Sequence, residues 1–271
     1  GREEDGLMQA MSLIYKMVNV DLDLALEHIG KGMAYVEKGS EGKICMWFSA
    51  DLDNYRDYIE EEKLFPYSHH MFWGNSFHKG DVNLNITRVI KYDPTNSDEL
   101  TRAEIEARYQ VYRTSEFLKK YVPGFKNAYV VSTSPFIGIR ETRRIIGEYV
   151  LTEEDVLNGR KFDDAIARSA YPVDVHDPKG TGTVFAQVKN DYYEIPYRCL
   201  LPLTIDNLLV TGRCISSTAR AMASARTMIT AMCLGQAAGV AAAISSKNGN
   251  LPRNENVKEI KEKLIEQGAM L

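Results

Sequence analysis

Residues 207–244, NLLVTGRCISSTARAMASARTMITAMCLGQAAGVAAAI, constrain this chain more than any other segment. NLLVTG is short, apolar and closed by Gly212, as a buried parallel strand is. A polar turn follows. The Ala-rich run over 226–246, with Gly235 and Gly239 four apart, then predicts a buried helix that a neighbour approaches closely. Strand, glycine turn and helix start in that order put free backbone amides and the positive end of a helix dipole beside Arg226, which suits an electron-rich group. From the residues alone, plain packing is favoured over ligand binding.

The chain has 271 residues, with 33 Lys and Arg against 37 Asp and Glu and 44% hydrophobic residues. That supplies one large or two modest domains and excludes a disordered, collagenous or polybasic chain, so no nucleic-acid partner is expected. The longest small and apolar run, 237–244, falls far short of the roughly 20 residues of a membrane span. A soluble protein is expected. Four scattered cysteines without a CxxC pair predict reduced thiols and a cytoplasmic setting. The start, GREED, carries neither an initiator Met nor a leader pattern, and the expectation is a fragment of a longer protein.

Apolar, aromatic-rich stretches at 11–20 and 44–50 predict strands, and the spacing of Leu24, Leu26, Ile29, Met33 and Val36 predicts a helix over 23–37 between them. Residues 65–79 read as an aromatic, His-rich loop, and Val82, Leu84 and Ile86 alternate as in a strand. A long helix is expected over 97–121. Its capping box is placed at Thr101–Glu104, its face at Ile105, Tyr109, Tyr112, Phe117 and Leu118, and its end at Pro123-Gly124. Residues 128–132 predict a short strand, and Thr152 to Asp155 begin a short helix. Residues 171–182, punctuated by Pro and Gly, read as loop. Asn254 is expected to cap a last helix over 257–267.

Other candidate residues carry two readings each. Arg140, Arg143 and Arg144, with Glu141 and Glu148, form either an ion-paired surface or an anion clamp. His176, between Asp174 and Asp177, is either a loop hydrogen bonder or an acid or base whose protonated form the carboxylates favour. Tyr192, Tyr193, Tyr197 and Arg198 either wall a substrate or pack a sheet. His28 is structural or exposed, whereas His69, His70 and His78, with Trp73 and Phe77, could line a pocket but lack metal-triad spacing, so no metal is expected. Neither a GxSxG elbow nor a Walker lysine occurs.

NLLVTGRCISS followed by SARTMITAMCLGQAAGVAAAI resembles the C-terminal flavin-contacting segment of glutathione-reductase-like flavoproteins. The closest resemblance is to the bacterial FAD-dependent oxidoreductase family. It extends through IGIRETRRIIGEYVLTEEDVLNGRKFDDAIARSAYPVDVH, YEIPYRCLLP and the opening GREEDGLMQAMSLIYKM, and so covers most of the chain. The resemblance implies that the last strand joins a nucleotide-binding sheet and that the following helix points its N-terminus at the pyrimidine end of FAD. It thereby implicates Gly212, Arg213, Cys214, Arg226, Thr227 and Met228 in cofactor binding. It also implies that the IGIRETRR segment lies near the substrate, with Arg140 pointing inward.

Such flavoproteins begin with a strand, GxGxxG and a helix that cradle the ADP moiety. This sequence lacks that fingerprint, since Gly180-Thr181-Gly182 is followed by Phe185 where the last glycine belongs. The expected architecture is α+β, with a mixed-sheet substrate-side domain over 1–200 and the C-terminal part of an FAD-binding domain over 201–271. The expected activity is hydride transfer from a small organic substrate to flavin, with His176 as base. Arg140, Arg144, Tyr197 and Arg198 would bind the substrate. Without the fingerprint, this chain alone is expected to be inactive and to bind FAD weakly or not at all. The strand over 208–211, orphaned from its sheet, is expected either to make a homo-oligomer or to fold differently. The alternative function is a non-catalytic ligand- or partner-binding module.

Overall fold

The computed structural model describes residues 1–38, 44–64, 72–76, 78–180 and 182–271. The chain forms two compact units, one of residues 10–139 with 177–182, and one of residues 1–9, 140–176 and 183–271. The boundary expected at 200/201 falls inside the second.

The first, the sheet unit, runs β1 (Tyr15–Val18), α1 (Leu22–His28), β2 (Gly30–Lys38), β3 (Ile44–Asp51), α2 (Arg56–Glu61), β4 (Phe72–Ser76), β5 (Val82–Asn85), α3 (Ser97–Tyr121) and β6 (Tyr129–Thr133). Its six strands form an antiparallel sheet in the order β2-β3-β4-β5-β1-β6. Met17, Leu84, Val82 and Tyr15 are buried with Ala103, Ala107, Phe117 and Leu118 of α3 in one core. Tyr15 Oη lies 2.9 Å from Thr114 Oγ1, which keeps the buried phenol satisfied. Gly124, at φ +91°, ends the α3 turn where a Cβ would sit 2.3 Å from Asp21 O, so this position requires glycine.

Several expectations fail here for identifiable reasons. The helix predicted over 23–37 is only α1, because the chain turns extended at Ile29 and continues as β2 against β3. Gly30 and Gly32 each cost a helix about 1 kcal/mol relative to alanine, and the hairpin captures the segment. Residues 72–76, predicted as loop, form β4 between β3 and β5, whereas residues 65–71, with His69 and His70, and Phe77 lie outside the described residues. The helix over 97–121 forms as expected, but Asn96 caps it by accepting from Asp98 and Glu99 N–H groups. Thr101 instead donates to Ser97 O. The face turned to the core is that of Ala103, Ala107, Val111, Thr114 and Leu118, while Ile105, Tyr109 and Tyr112 are exposed.

The second, the mixed unit, holds α4 (Glu153–Leu157), β7 (Ala165–Ser169), β8 (Val173–His176), β9 (Thr183–Ala186), β10 (Tyr193–Pro196), α5 (Ala219–Ala225), α6 (Met228–Asn248) and α7 (Val257–Glu266). β7 pairs with β10 and β8 with β9, both antiparallel. Each described ladder is antiparallel, and helices with small antiparallel sheets make the fold α+β as expected. The capping box expected at Thr152 and Asp155 is present. Asn256, and not Asn254, caps α7 by accepting from Lys258 N–H, because residues 252–254 form a 3-10 turn.

Residues 208–211 form no strand. Val210 donates to Leu200 O, and Gly212–Cys214 makes a 3-10 turn. α6 forms where expected, but Gly235 and Gly239 face open space, with nothing within 4 Å of an added Cβ. The close neighbour inferred for them is not among the described residues. With 21 residues and an 18-residue stretch of mean hydropathy 1.6, α6 is long and apolar enough to cross a membrane by length and composition, which the count over 237–244 misses.

Candidate functional site

Within the mixed unit, the Tyr171-Pro172-Val173-Asp174-Val175-His176 stretch carries the largest gathering of sequence-predicted residues. Its punctuation predicts loop, yet residues 173–176 are β8, and strand geometry puts Asp174 and His176 on one face and buried Val173 and Val175 on the other. α5 packs on β8 and ends at Arg226, so the corner between α5 and α6 brings that guanidinium to the same face.

Asp174 Oδ2 is the hub. His176 Nε2 lies 3.4 Å away, Arg226 Nη2 3.3 Å, and Tyr171 Oη donates at 3.4 Å. Arg226 also donates to Asp174 O. The strand end is pinned by Gln9, whose Oε1 accepts from His176 N–H at 3.2 Å, while Gln9 N–H donates to buried Glu141. Behind the hub, Ser224 donates to Tyr171 O at 2.6 Å, and Tyr193 Oη lies 2.8 Å from Ser224 Oγ.

The electrostatics separate the two titrating groups. Burial works against the Asp174 carboxylate, but His176, Arg226 and Arg140 outweigh it and hold the carboxyl below its ordinary range. Burial, aided by the Arg140 charge and only partly opposed by Asp174, lowers His176 to about 4. His176 is therefore neutral at pH 7, contrary to the expectation that its acidic neighbours protonate it. Desolvation and the two guanidiniums exceed the carboxylate's pull. Burial and Asp174 raise the Tyr171 phenol. A neutral imidazole next to an ionised carboxylate and two cations can accept a proton and orient an anionic or polar group.

Arg140, His176 and Arg226 are thus brought together, and the Arg213 charge reaches Arg226 from the 3-10 turn begun by Gly212. Cys214 O accepts from Ile145 N–H. Thr227 and Met228 start α6. Three other predicted residues are committed elsewhere. Arg144 donates to Ser217 O at 2.8 Å, to Glu141 and to Glu3. Tyr197 is buried and donates to Pro252 O at 3.0 Å, and Arg198 makes a two-pronged pair with Asp164 at 2.8 and 3.1 Å. Sequence reasoning misses Asp174 as the hub, together with Tyr171 and Gln9. The apolar-polar alternation over 173–176 is the available signal.

The start of α6 fits a flavin's pyrimidine edge. Thr227 makes no side-chain cap, so the first-turn amides are uncapped, and the buried Nε of Arg226 has no hydrogen-bond partner. Met228, Ile229 and Met232 are more than 70% exposed, an apolar ledge beside those donors. Gly212, at φ +72°, has nothing within 4 Å of an added Cβ, which leaves its backbone approachable. No glycine fingerprint exists in the sequence to cradle the pyrophosphate.

Comparison with protein families matches residues 1–264 to the model described as FAD dependent oxidoreductase. No curated protein and no solved structure matches the chain.

Proposed function

The chain belongs to the FAD dependent oxidoreductase family, whose chemistry is flavin-dependent redox, and from that premise we propose that it carries the substrate-side half of a hydride-transfer site built on β8. His176 is the base, Asp174 orients it, and Arg140 and Arg226 hold an anionic or polar part of a small organic donor. Gly212, Arg213, Cys214, Arg226, Thr227 and Met228 would hold the cofactor, in the division of labour that assigns residues 201–271 to the flavin. Bound FAD supplies the two-electron acceptor for the hydride.

His176 takes the proton that the donor's hydroxyl or amine releases as its carbon–hydrogen bond gives up the electron pair. Neutrality at pH 7 is the property this role requires, and the Asp174 contact stabilises the imidazolium that forms. Arg144, Tyr197 and Arg198 act by supporting the framework, held by Ser217 O, Pro252 O and Asp164 in turn. Burial raises the Cys199 thiol to about 12, which keeps it out of the redox chemistry.

The observation that carries this reading is the Asp174–His176 pair flanked by Arg140 and Arg226. Its test is anaerobic bleaching of excess FAD by a panel of small hydroxy and amino acids. Against the inactivity expected from the missing fingerprint, the wild-type chain should bleach flavin slowly with at least one donor once FAD is in saturating excess, and His176→Gln should slow it by about 100-fold or more. Bleaching at equal rates in both proteins would remove His176 from the chemistry.

A second reading is a chain that binds ligand or partner without redox turnover, which flavin left unbleached by every donor would favour. On either reading the isolated chain should bind FAD weakly, and flavin colour retained through gel filtration would contradict that.

A further inference from the structure

α3 presents to solvent a row of residues spaced three or four apart along its length: Asp98, Arg102, Ile105, Tyr109, Tyr112, Glu116 and Lys120. Such spacing keeps the seven side chains on one face over about 33 Å. The centre is apolar and open, with Ile105 65%, Tyr109 58% and Tyr112 60% exposed. Beside it lies a groove of about 320 Å³ walled by Arg108, Tyr112 and Lys119 of α3 and Tyr129 of β6. β6 is an edge strand, and its Tyr129 and Val131 are also exposed, so the apolar surface continues past the helix.

The charges flanking that centre are ordered. Read forward, the row is negative, positive, three apolar residues, negative, positive. Read backward, it is positive, negative, three apolar residues, positive, negative. A second copy laid antiparallel, with its two-fold axis at Tyr109, sets Asp98 against Lys120 and Arg102 against Glu116, twice each. A parallel copy sets every charge against its like. A two-fold interface must be complementary to itself under that reversal, and this row is.

We propose that the outer face of α3 is a self-association surface on which two copies of this chain pack antiparallel, Ile105 and Tyr112 of each copy enclosing the paired Tyr109 side chains. The intramolecular pairs that now hold Glu116 and Lys120, with Lys119 and Glu62, are solvent-exposed and weak enough to be exchanged for pairs across the interface. Tyrosines at the centre with a charged rim are the composition of a binding hot spot.

Sedimentation of the full chain tests this. A species of twice the 30.6 kDa monomer mass should appear at tens of micromolar and diminish at high salt. Tyr109→Glu should weaken association by about 100-fold, with Ile105→Lys as an independent second variant and circular dichroism confirming that both retain their helix. Arg102→Glu should weaken it by about tenfold, and adding Glu116→Arg in the same chain should restore it, because the two reversed charges then face each other across the interface as opposites once more. A strictly monomeric wild type at about 100 µM, a concentration at which a micromolar interface is filled, would overturn the proposal. So would a dimer indifferent to Tyr109→Glu and Ile105→Lys, or a double charge variant as weak as the single one.

Discussion

The sheet unit and the mixed unit bury different kinds of polar group. Among the described residues of the sheet unit, the buried polar ones are Ser12, Thr87, Gln110, Thr114 and Ser115, all neutral, set in an aliphatic and aromatic core. In the mixed unit the buried set includes four carboxylates, Glu141, Asp155, Glu194 and Glu255. Glu141 accepts from Gln9 and Arg144, and Asp155 from Thr152, Tyr149 and Arg160. The contrast teaches a division of roles. Both units have a large apolar core, but the mixed unit also keeps carboxylates in its interior, and one of them, Glu141, connects through Gln9 to the His176 strand.

Breaking one pair on each side measures the contrast. Glu141→Ala leaves the Arg144 guanidinium, 11% exposed, without its buried partner and should cost about 3–5 kcal/mol. Leu118→Ala in the sheet unit should cost about 3 kcal/mol through lost burial and a cavity. Urea unfolding followed by hydrogen exchange resolves which unit opens in each variant. If Glu141→Ala costs less than about 1 kcal/mol, the value of an exposed pair, the interior charges of the mixed unit are incidental to its stability.

Acid sharpens the same contrast. His176 has a folded pKa depressed to about 4 from its ordinary 6.5, so between those values the unfolded chain binds a proton that the folded chain does not. Stability is therefore full above 6.5 and falls as pH drops toward 4, by about 3 kcal/mol. The lowered carboxyls of Asp174 and Asp155 act in the same direction at lower pH, since their contribution is present above the unfolded carboxylate value and is lost as pH falls through the folded one. Hydrogen exchange at about pH 7 and about pH 4.5, corrected for intrinsic rates, should show protection lost in the mixed unit first. His176→Gln should flatten the fall between pH 6.5 and 4. Loss of protection in the sheet unit first would reverse the assignment.

Legibility from sequence follows the same divide. Where local chemistry decides, the residues suffice: α3 and α4 stand where their patterns put them, as does β5, and the capping box at Thr152 is present. Where a partner strand decides, they do not. β2 and β4 exist because β3 lies beside them, and a periodicity fit to Leu24–Val36 cannot register the antiparallel pairing of β2 with β3. At the site, Arg140, His176 and Arg226 are legible one by one. Their convergence on Asp174 depends on β8 being a strand, which Pro172 and Pro178 on either side disguise.

The smallest effect concerns the outer face of α6. Exposed glycine inside a helix lowers stability because it gains backbone freedom on unfolding and packs nothing in return. Gly235 and Gly239 have no atom within 4 Å of an added methyl group, so alanine there meets no steric objection from the rest of the chain. Gly235→Ala and Gly239→Ala should each stabilise the mixed unit by roughly 0.5–1 kcal/mol, read as a rise in urea midpoint at unchanged slope. Their combined effect is read in the double variant, since residues four apart on one helix face are neighbours whose effects need not add. A destabilising alanine at either position would mean that something does approach this face closely. The pair of substitutions therefore distinguishes a helix open along this row from one whose glycines are required.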